Sequence, residues 1–497
     1  MKNSYQITQE TIELAKKALG NPLAKDATTA GYTTSTGITG YNLESPAKSL
    51  FPVLSPFRNA IPRVKAPKGA PAAHWKAITA INSTAQRATT GFGYSGALIS
   101  TTEKDFNASY QVISLGDTVW YDAQIQAEGY QDLRATSGIN LLYALMMQED
   151  IIDLGGQNFS LGTVSAPTLT GSASGGSIGS VSVDVKVAAR TLQGFYDGKG
   201  TAASSATTVA TLTGPSASIA ATVTAVPGAV VYDWYVGNHG GTLYYYTSTT
   251  VNAATITSVP TSAASVPTSL ANLGTPPTTP TAVDSSADSN SYNGLIATLI
   301  GDYSNGTFVA NGAGTSSGAY VKSLDGATLT GSTGTISEID TALASLWSKS
   351  KVSPTKILVN SVDHVNMSNK IISSGGAYTL FRPNDIGERQ QVVGGQLVDT
   401  YLNKAVNGQA IPIETMPWLP QGTVILATER LPYPNNKVSN VMEIETLLEY
   451  QQIEYAVARS AGSAGGGPRY DFEVRAQQVF KNYFPAAMAI ISNVGNG

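Results

Sequence analysis

The chain has 497 residues, which is enough for roughly two to four domains with hydrophobic cores. It has no cysteine, which excludes disulfides and thiolate chemistry, and charged residues make up 13% of it, about half the usual share. A surface so poor in charge suits burial between subunits or exposed β-sandwiches. The first residues lack the apolar core of a signal peptide, and no apolar run has the length of a membrane span. We therefore expect a soluble chain that is not exported.

Residues 1–90 are basic within a chain whose net charge is −4. They hold eleven Lys and Arg against four Asp and Glu, a net charge of +7. Two interpretations stay open: an arm attracted to polyanions or acidic neighbours, and salt bridges across subunits. Residues 5–19 are predicted to form a short amphipathic helix, which Gly20 and Pro22 end.

Residues 48–65 place three prolines among large apolar side chains. Proline removes an N–H group and disfavours helix in the residue before it, so the segment is predicted to be extended. It is too apolar for a solvated linker, and we expect it to lie against another subunit. The residues predicted to make these contacts are Phe51, Pro52, Leu54, Pro56, Phe57, Arg58, Ile61, Pro62 and Arg63.

Residues 66–118 are predicted to form a long two-stranded excursion with a Gly-rich bend near residues 84–97 and a returning strand over 108–120. Its predicted contact residues are Trp75, Lys76, Arg87 and Lys104. Apolar residues at helical spacing follow, and Gly155 and Gly156 end the run. A helix of about 30 residues would be about 45 Å long, which is typical of a structural spine. Glu149 and Asp150, near its end, are expected to be solvated.

Residues 160–290 are sparsely charged and alternate between apolar and polar, with Gly, Pro and Ser turns between the alternating runs. This pattern is typical of a β-sandwich, and Trp234 is predicted to lie in its core. A Pro/Thr/Ser-rich segment at 275–291 is predicted to be a flexible linker.

The remaining sequence has mixed α/β character, and residues 440–451 alternate as a strand. Glu443, Glu445 and Glu449 are predicted to share one face of that strand. Three like charges on one face favour cationic partners, so the basic arm of a neighbour and solvent both stay open as their surroundings.

Two enzyme-like motifs occur without the flanking elements that such motifs require. Gly175, Ser177 and Gly179 match a nucleophile elbow, and Gly91, Gly93 and Gly96 match a dinucleotide-binding loop. The three histidines, at positions 74, 239 and 364, are too scattered for a metal cluster. We therefore predict no catalytic, cofactor-binding or metal-binding residues, and we do not expect an enzyme.

The order of these segments resembles that of tailed-phage major capsid proteins of the Hong Kong ninety-seven fold. The segments that carry the resemblance are LFPVLSPFRNAIPRV, SYNGLIATLI, ISEIDTALASLW, SPTKILVNSVDHVN and YDFEVRAQQVFKNYFPAAMAIISNV. The resemblance implies an α+β fold with an inserted all-β sandwich that is similar to Ig-like or fibronectin type III domains. The implied parts are an N-terminal arm (1–62), an extended loop (63–118), a spine helix of the peripheral domain (119–160), the insertion with its linkers (161–285), an axial domain (286–432) and peripheral strands with the C-terminus (433–497).

The resemblance also implies a function. Such a chain assembles with copies of itself into hexamers and pentamers that form the icosahedral shell of a virion around double-stranded DNA, after assembly in the host cytoplasm. The insertion is expected on the outer surface, where it could bind host glycans. Separate scaffolding, portal and decoration proteins are expected as partners, and no membrane or cofactor is expected. Lys76 and Lys104 lie where some relatives cross-link, but no cross-link is expected here. The alternative is a bacterial surface adhesin with an Ig-like carbohydrate-binding module.

Overall fold

The computed structural model describes residues 51–495 with internal gaps. Outside the described residues are 1–50, 68, 82–91, 93–100, 129–130, 210–211, 213, 305–306, 311–317, 375–396, 433–437, 456–467 and 496–497. The helix predicted over 5–19, Arg87, and the motif of Gly91, Gly93 and Gly96 therefore lie outside the described part of the chain. Most described residues belong to one compact unit, Phe51–Gln126 with Leu133–Gly497, and residues 127–128 and 131–132 do not belong to it. In this short segment the N–H of Gln131 donates to the carbonyl of Ala127.

The first described elements are a short helix, α1 (Pro56–Ala60), and a three-residue strand, β1 (Arg63–Lys65). The sequence predicts an extended segment here, and α1 is the exception to that prediction. Pro56 lies in the first turn of α1, where the missing N–H costs no hydrogen bond and the fixed φ suits a helix. Pro56 is therefore compatible with this single helical turn.

Two long strands, β2 (Ala72–Ile81) and β3 (Thr101–Ser109), pair in antiparallel fashion from Ala72 opposite Ser109 to Ile81 opposite Thr101. Among the described residues, no third strand joins this sheet, which we call the ribbon. The ribbon is the predicted two-stranded excursion. The predicted returning strand, however, divides at Tyr110, and the next strand, β4 (Gln111–Trp120), pairs elsewhere.

The helix predicted over 119–154 is divided into α2 (Tyr121–Gln126) and α3 (Leu133–Gly155). Gly129 lies between them in the sequence, and glycine is a poor helix former. The 23 residues of α3 span about 34 Å, so the spine is shorter than predicted.

The next part of the chain is an all-β unit with one short helix. Its elements are β5 (Thr168–Ser172), β6 (Val183–Arg190), α4 (Leu192–Asp197), β7 (Thr207–Val209), β8 (Ser218–Thr222), β9 (Val231–Asn238), β10 (Tyr244–Thr249) and β11 (Ala253–Ile256). The strand orders are β10-β9-β6-β7 and β11-β8-β5, and each neighbouring pair is antiparallel. The two sheets share one buried core, so the predicted sandwich is present. Its Ig-like character stays a prediction.

The segment at 275–291, predicted to be a flexible linker, lies along the sandwich. The N–H of Tyr245 donates to the carbonyl of Thr278, and the N–H of Ala203 to that of Thr281, both at 2.9 Å. Directly before this segment, the carbonyl of Gly274 accepts a hydrogen bond at 2.9 Å from Nη1 of Arg190, a buried side chain of the sandwich that also forms an ion pair with Asp233. These backbone bonds give the Pro/Thr-rich segment a defined course, which composition alone does not reveal.

The following segment mixes helices with short strands. Its elements are α5 (Leu295–Ile300), β12 (Gly301–Ser304), β13 (Thr307–Ala310), β14 (Tyr320–Ser323), β15 (Gly331–Ser332), β16 (Thr335–Ile336), α6 (Ser337–Ser350), β17 (Lys356–Val359), α7 (Ser361–Ser373), β18 (Thr400–Asn403), β19 (Gln409–Thr415) and β20 (Val424–Ala427). The chain then forms β21 (Met442–Tyr455), β22 (Arg469–Asn482) and β23 (Ala489–Ser492). Short 3₁₀ turns lie at Thr268–Leu270 and Pro485–Ala487.

Two larger sheets organise these strands. One has the order β1-β21-β22-β4, and the other β14-β23-β20-β17-β19-β18. The C-terminal segment therefore contributes to both sheets, β21 and β22 to the first and β23 to the second. β23 is buried at every position and lies between β14 and β20, as a continuous apolar run in a covered sheet requires. The α+β class is confirmed.

Candidate functional site

The arm divides into an exposed part and a part that packs on the same chain. Phe51 and Leu54 are 64% and 50% exposed. Phe57 and Ile61 are buried, and the ring of Phe57 lies 6.4 Å from that of Phe480. The strand β1 pairs with β21 in parallel, with Arg63 opposite Ile444. In the structure Phe57 and Ile61 pack into the core between α3 and β22 of their own chain. The contact of the arm with another subunit stays a prediction.

A buried carboxylate on α3 binds this docked part of the arm. Glu149 is 0% exposed and accepts hydrogen bonds from Arg58 Nε, Arg63 Nη2, the hydroxyl of Tyr450 and Nε2 of Gln478. The ring of Tyr450 lies 5.3 Å from the guanidinium carbon of Arg58 and 5.8 Å from that of Arg63. Burial opposes ionisation of Glu149, but the charges of Arg63 and Arg58 outweigh it and hold the pKa of Glu149 below its usual value.

Two further carboxyl groups lie beside Glu149, and both are completely buried. Asp150 Oδ1 accepts the N–H of Arg58 at 2.6 Å, and Asp153 Oδ1 accepts the hydroxyl of Tyr292 at 2.6 Å. Burial raises the pKa of Asp150 to about 7 and that of Asp153 well above its usual value, and the charge of Glu149 adds to both shifts. The expectation that Glu149 and Asp150 are solvated is wrong, because the arm covers the end of α3.

A second ionic cluster lies at the base of the ribbon. The ammonium group of Lys481 forms ion pairs with Glu443 and Glu445, and all three side chains are nearly buried. The hydroxyl of Tyr110 donates to Glu445 at 2.6 Å, and that of Tyr483 donates to Glu443. Tyr110 directly follows β3, so this hydrogen bond ties the end of the ribbon to β21.

An aromatic cluster holds the same base. Trp75 of β2 stacks on Phe106 of β3 with ring centroids 5.6 Å apart, and its ring lies edge-on to Tyr483 at 6.0 Å. Lys481 Nζ lies 5.5 Å from the Trp75 ring, within the range of a cation–π interaction. The ribbon is therefore fixed at its base by both apolar and ionic contacts.

The remaining predicted contact residues have different surroundings. Glu449 is 74% exposed and lies 3.7 Å from Lys65, so the three glutamates do not share one environment. Bulges between Thr446 and Gln451 interrupt the regular alternation of β21. Lys76 is exposed and forms an ion pair with Asp105, and the backbone of Lys104 pairs opposite Ala77. The cation between Glu443 and Glu445, Lys481, was not singled out from the sequence.

We expect Lys481→Met to lower the free energy of unfolding by about 3 kcal/mol, because it leaves two nearly buried carboxylates without their cation. Lys76→Met is the matched control: its ion pair is exposed, and a change below about 0.5 kcal/mol is expected. Urea unfolding of the two variants provides the comparison. Equal values for both variants would show that the Lys481 cluster does not stabilise the chain.

The insertion is joined to the rest of this unit through α4. Trp234 is completely buried in the sandwich core, and its Nε1 donates to the hydroxyl of Thr249 at 2.9 Å. At α4, the hydroxyl of Tyr196 donates to the carbonyl of Trp418 at 2.7 Å. Trp418 Nε1 in turn donates to the carbonyl of Leu54 in the arm at 2.9 Å. The insertion and the arm thus meet at one tryptophan.

The other motif residues have structural contacts. The hydroxyl of Ser177 donates to the carbonyl of Thr257 at 3.2 Å. His239 Nδ1 lies 2.9 Å from Asp184, and His364 Nε2 lies 2.8 Å from the carbonyl oxygen of Val398. Within the described ranges, no three His, Cys, Asp or Glu side chains are grouped as a metal site requires. None of the described helices is both long enough and apolar enough to cross a membrane.

Comparison with known proteins finds similarity at the level of structure. No protein-family model and no curated protein matches the chain. The chain is similar to the capsid asymmetric unit of Cyanophage A-1(L), with a TM-score of 0.45 and 11% identity over 93% of this chain and 99% of that one. It is also similar to the capsid asymmetric unit of Cyanophage Pam1 (TM-score 0.41, 10% identity, 94% and 99% covered). For the capsid of Myoviridae Phage XM1 the TM-score is 0.40, with 8% identity and 94% and 100% covered.

Proposed function

We propose that this chain is a major capsid protein of the Hong Kong ninety-seven fold, which assembles with copies of itself into hexamers and pentamers of an icosahedral shell. The observation that carries the proposal is the ribbon. It is a sheet of only two strands in the described part of the chain, yet an isolated two-stranded sheet is marginally stable in water. A ten-residue strand such as β2 extends about 33 Å, which is long enough to cover part of a neighbour.

The distribution of contacts along the ribbon supports this function. The base is fixed by the Trp75 and Lys481 clusters, whereas Ile78, farther along β2, is 62% exposed. A rigid base and an exposed apolar side chain suit an element that binds in trans, because little conformational entropy is lost on binding. The exposed residues Phe51 and Leu54 offer a second apolar contact beside the docked part of the arm.

The insertion supports a shell subunit better than it supports an adhesin with a separate binding module. All buried apolar residues of an independent module would belong to a core formed within that module alone. Here Leu192 and Phe195 of α4, together with Val230 and Val231, belong to the same buried cluster as Leu154 of α3. Exposure of the sandwich on the outer surface of the shell, and binding of host glycans there, are parts of the same proposal.

The remaining partners follow from assembly around a genome. We propose that double-stranded DNA lies at the inner surface and that separate scaffolding, portal and decoration proteins take part. The net charge of +7 in residues 1–90 supports a contact with a polyanion or with acidic neighbours. The direct test is electron microscopy of the purified protein. Closed icosahedral shells or capsomers are expected, and a monodisperse monomer that binds glycans would overturn the proposal.

We expect Ile78→Asp to reduce the fraction of chains in shells at least tenfold without changing subunit stability. Desolvating a charge at the contact and losing the burial of isoleucine cost roughly 1.5–3 kcal/mol or more at each contact. Val181→Asp, in the insertion, is the matched control and should assemble normally, since Val181 is 39% exposed and lies outside the ribbon. Sedimentation and electron microscopy give the assembled fraction. Normal shells from Ile78→Asp would remove the ribbon from the proposed contact.

A further inference from the structure

The docked part of the arm covers more negative charge than it neutralises. Glu149, Asp150 and Asp153 are each 0% exposed, and the arm brings only Arg58 and Arg63 to them. Both arginines bind Glu149. Among the described residues, no donor reaches Asp150 Oδ2 or Asp153 Oδ2, although both oxygens are buried. A buried carboxylate oxygen without a donor is costly when ionised and acceptable when protonated.

We propose that docking of the arm on α3 is linked to proton uptake by Asp150, so that the arm is held at mildly acidic pH and loosened at mildly alkaline pH. Asp150 is the carboxyl group in direct contact with the arm backbone, through the N–H of Arg58. A role of arm docking in controlling shell assembly rests on the proposed function. The linkage between docking and proton uptake is a property of the single chain and is measured without assembly.

The groups around Asp150 come from several elements. α3 contributes the carboxyl groups of Glu149 and Asp153, and the arm contributes Arg58 and Arg63. Burial raises the pKa of Tyr196 in α4, and the nearby charge of Asp150 raises it further. Beyond Glu149 lie Tyr450 of β21 and Gln478 of β22, and Tyr292 faces Asp153. Both arginines bind Glu149, and the charge of Arg58 together with the N–H groups of Arg58 and Phe57 lowers the pKa of Asp150 by less than burial raises it.

The sign of the linkage follows from the two states of the arm. Burial in the docked state raises the pKa of Asp150 to about 7, whereas a solvated aspartate titrates near pH 4. Between these values the docked state binds the proton and the released state does not, so docking is strengthened as the pH falls below 7. Glu149 acts in the opposite sense. Its lowered pKa means that its ion pairs persist at pH 6–8 and are lost only in acid, below its ordinary pKa.

The size of the effect follows from the same two states. If a released Asp150 titrates normally, the docking equilibrium constant should fall about tenfold from pH 6 to pH 8. Hydrogen exchange of the Ala66 amide reports docking directly, because it donates to the carbonyl of Thr446 in β21, and the amides of Asn59 and Ile61 report the helical turn α1 that forms in the docked state. Exchange rates, corrected for the intrinsic effect of pH, should rise about tenfold over that range. Amides of the sandwich strands β6 and β9 should not show this rise.

Asp150→Asn separates this linkage from other causes. The variant should keep the arm docked and show less than about a threefold change from pH 6 to pH 8. Asp122→Asn, at an exposed position, and Asp153→Asn should keep most of the tenfold change. A corrected exchange rate in the unmodified chain that does not change with pH would overturn the proposal, whatever the variants do. A full tenfold change that persists in Asp150→Asn, or that disappears only in Asp153→Asn, would also overturn it. Shell formation is not part of the measurement, so failure of the capsid proposal would be seen separately.

Discussion

Glu149→Gln should lower the free energy of unfolding by about 3 kcal/mol. The substitution keeps the volume of the side chain but removes the one carboxylate that binds Arg58, Arg63, Tyr450 and Gln478 together. Removing one partner of a buried ion pair leaves the other charge uncompensated, and typical losses are about 3–5 kcal/mol. Arg63 is 30% exposed, which favours the lower end of that range. Urea unfolding at pH 7.5 measures the change.

The matched control for this prediction is Glu449→Gln. Glu449 and Lys65 are each 74% exposed and lie 3.7 Å apart, and exposed pairs of this kind contribute less than about 1 kcal/mol. The control should therefore unfold within about 0.5 kcal/mol of the unmodified chain. If Glu149→Gln were as stable as Glu449→Gln, Glu149 could not be the group that holds the arm.

Removing residues 165–275 should prevent the chain from forming a stable folded subunit. If the insertion were only a decoration, the remainder would fold and assemble without it. The structure leads to the opposite expectation, because the deletion takes several buried residues out of the main core: Leu192, Phe195, Val230, Val231, Leu270 and Leu273. Each large apolar side chain removed from a core costs about 2–5 kcal/mol, and whole domains are stable by only about 5–15 kcal/mol. Soluble yield and circular dichroism of the deletion variant provide the test.

A point substitution separates lost packing from a misfolded deletion product. The Cβ of Leu192 lies so close to Gly155 at the end of α3 that a Cβ added to that glycine would be 2.3 Å from it. Leu192→Ala should therefore lower the free energy of unfolding by about 2–5 kcal/mol, whereas Val181→Ala, at an exposed position, should change it by less than about 0.5 kcal/mol. Cooperative unfolding of the deletion variant at an unchanged midpoint would show that the insertion is independent of the main core.

Some features could be predicted because they depend on short-range pattern. The alternation in VVYDWYVG and its neighbours predicts sandwich strands, and Trp234 lies in the shared core of two sheets. Helical spacing after residue 130 predicts α3, and the Gly-rich segment between two strand-like runs predicts the ribbon. In each case the signal is contained in about ten to twenty neighbouring residues, within which backbone geometry sets the period of the apolar side chains.

Other features could not be predicted because their partners lie far apart in the sequence. Glu149 binds arginines about 90 residues before it and Tyr450, which lies 301 residues after it. Lys481 lies between two acids of a different strand, and the register that places it there depends on the pairing of β21 with β22. One local signal was present: Glu149, Asp150 and Asp153 interrupt the apolar residues Leu145, Ile151 and Leu154, which are buried in α3. Carboxyl groups within an apolar stretch favour a buried, paired site over a solvated helix end.

The difference between short-range and long-range interactions also explains why the packing of the arm could be predicted only in part. Three prolines and several apolar side chains are enough to show that residues 48–65 need a surface to pack against, because exposing them to water is unfavourable. The surface on which they pack depends on the shape and charge of the rest of the molecule. Packing puts Phe57 and Ile61 into the chain's own core and Arg58 and Arg63 on Glu149, and it leaves Phe51 and Leu54 exposed. Backbone preference acts over a few residues and is therefore written in the local sequence, whereas burial and ion pairing depend on the folded positions of residues hundreds of places apart.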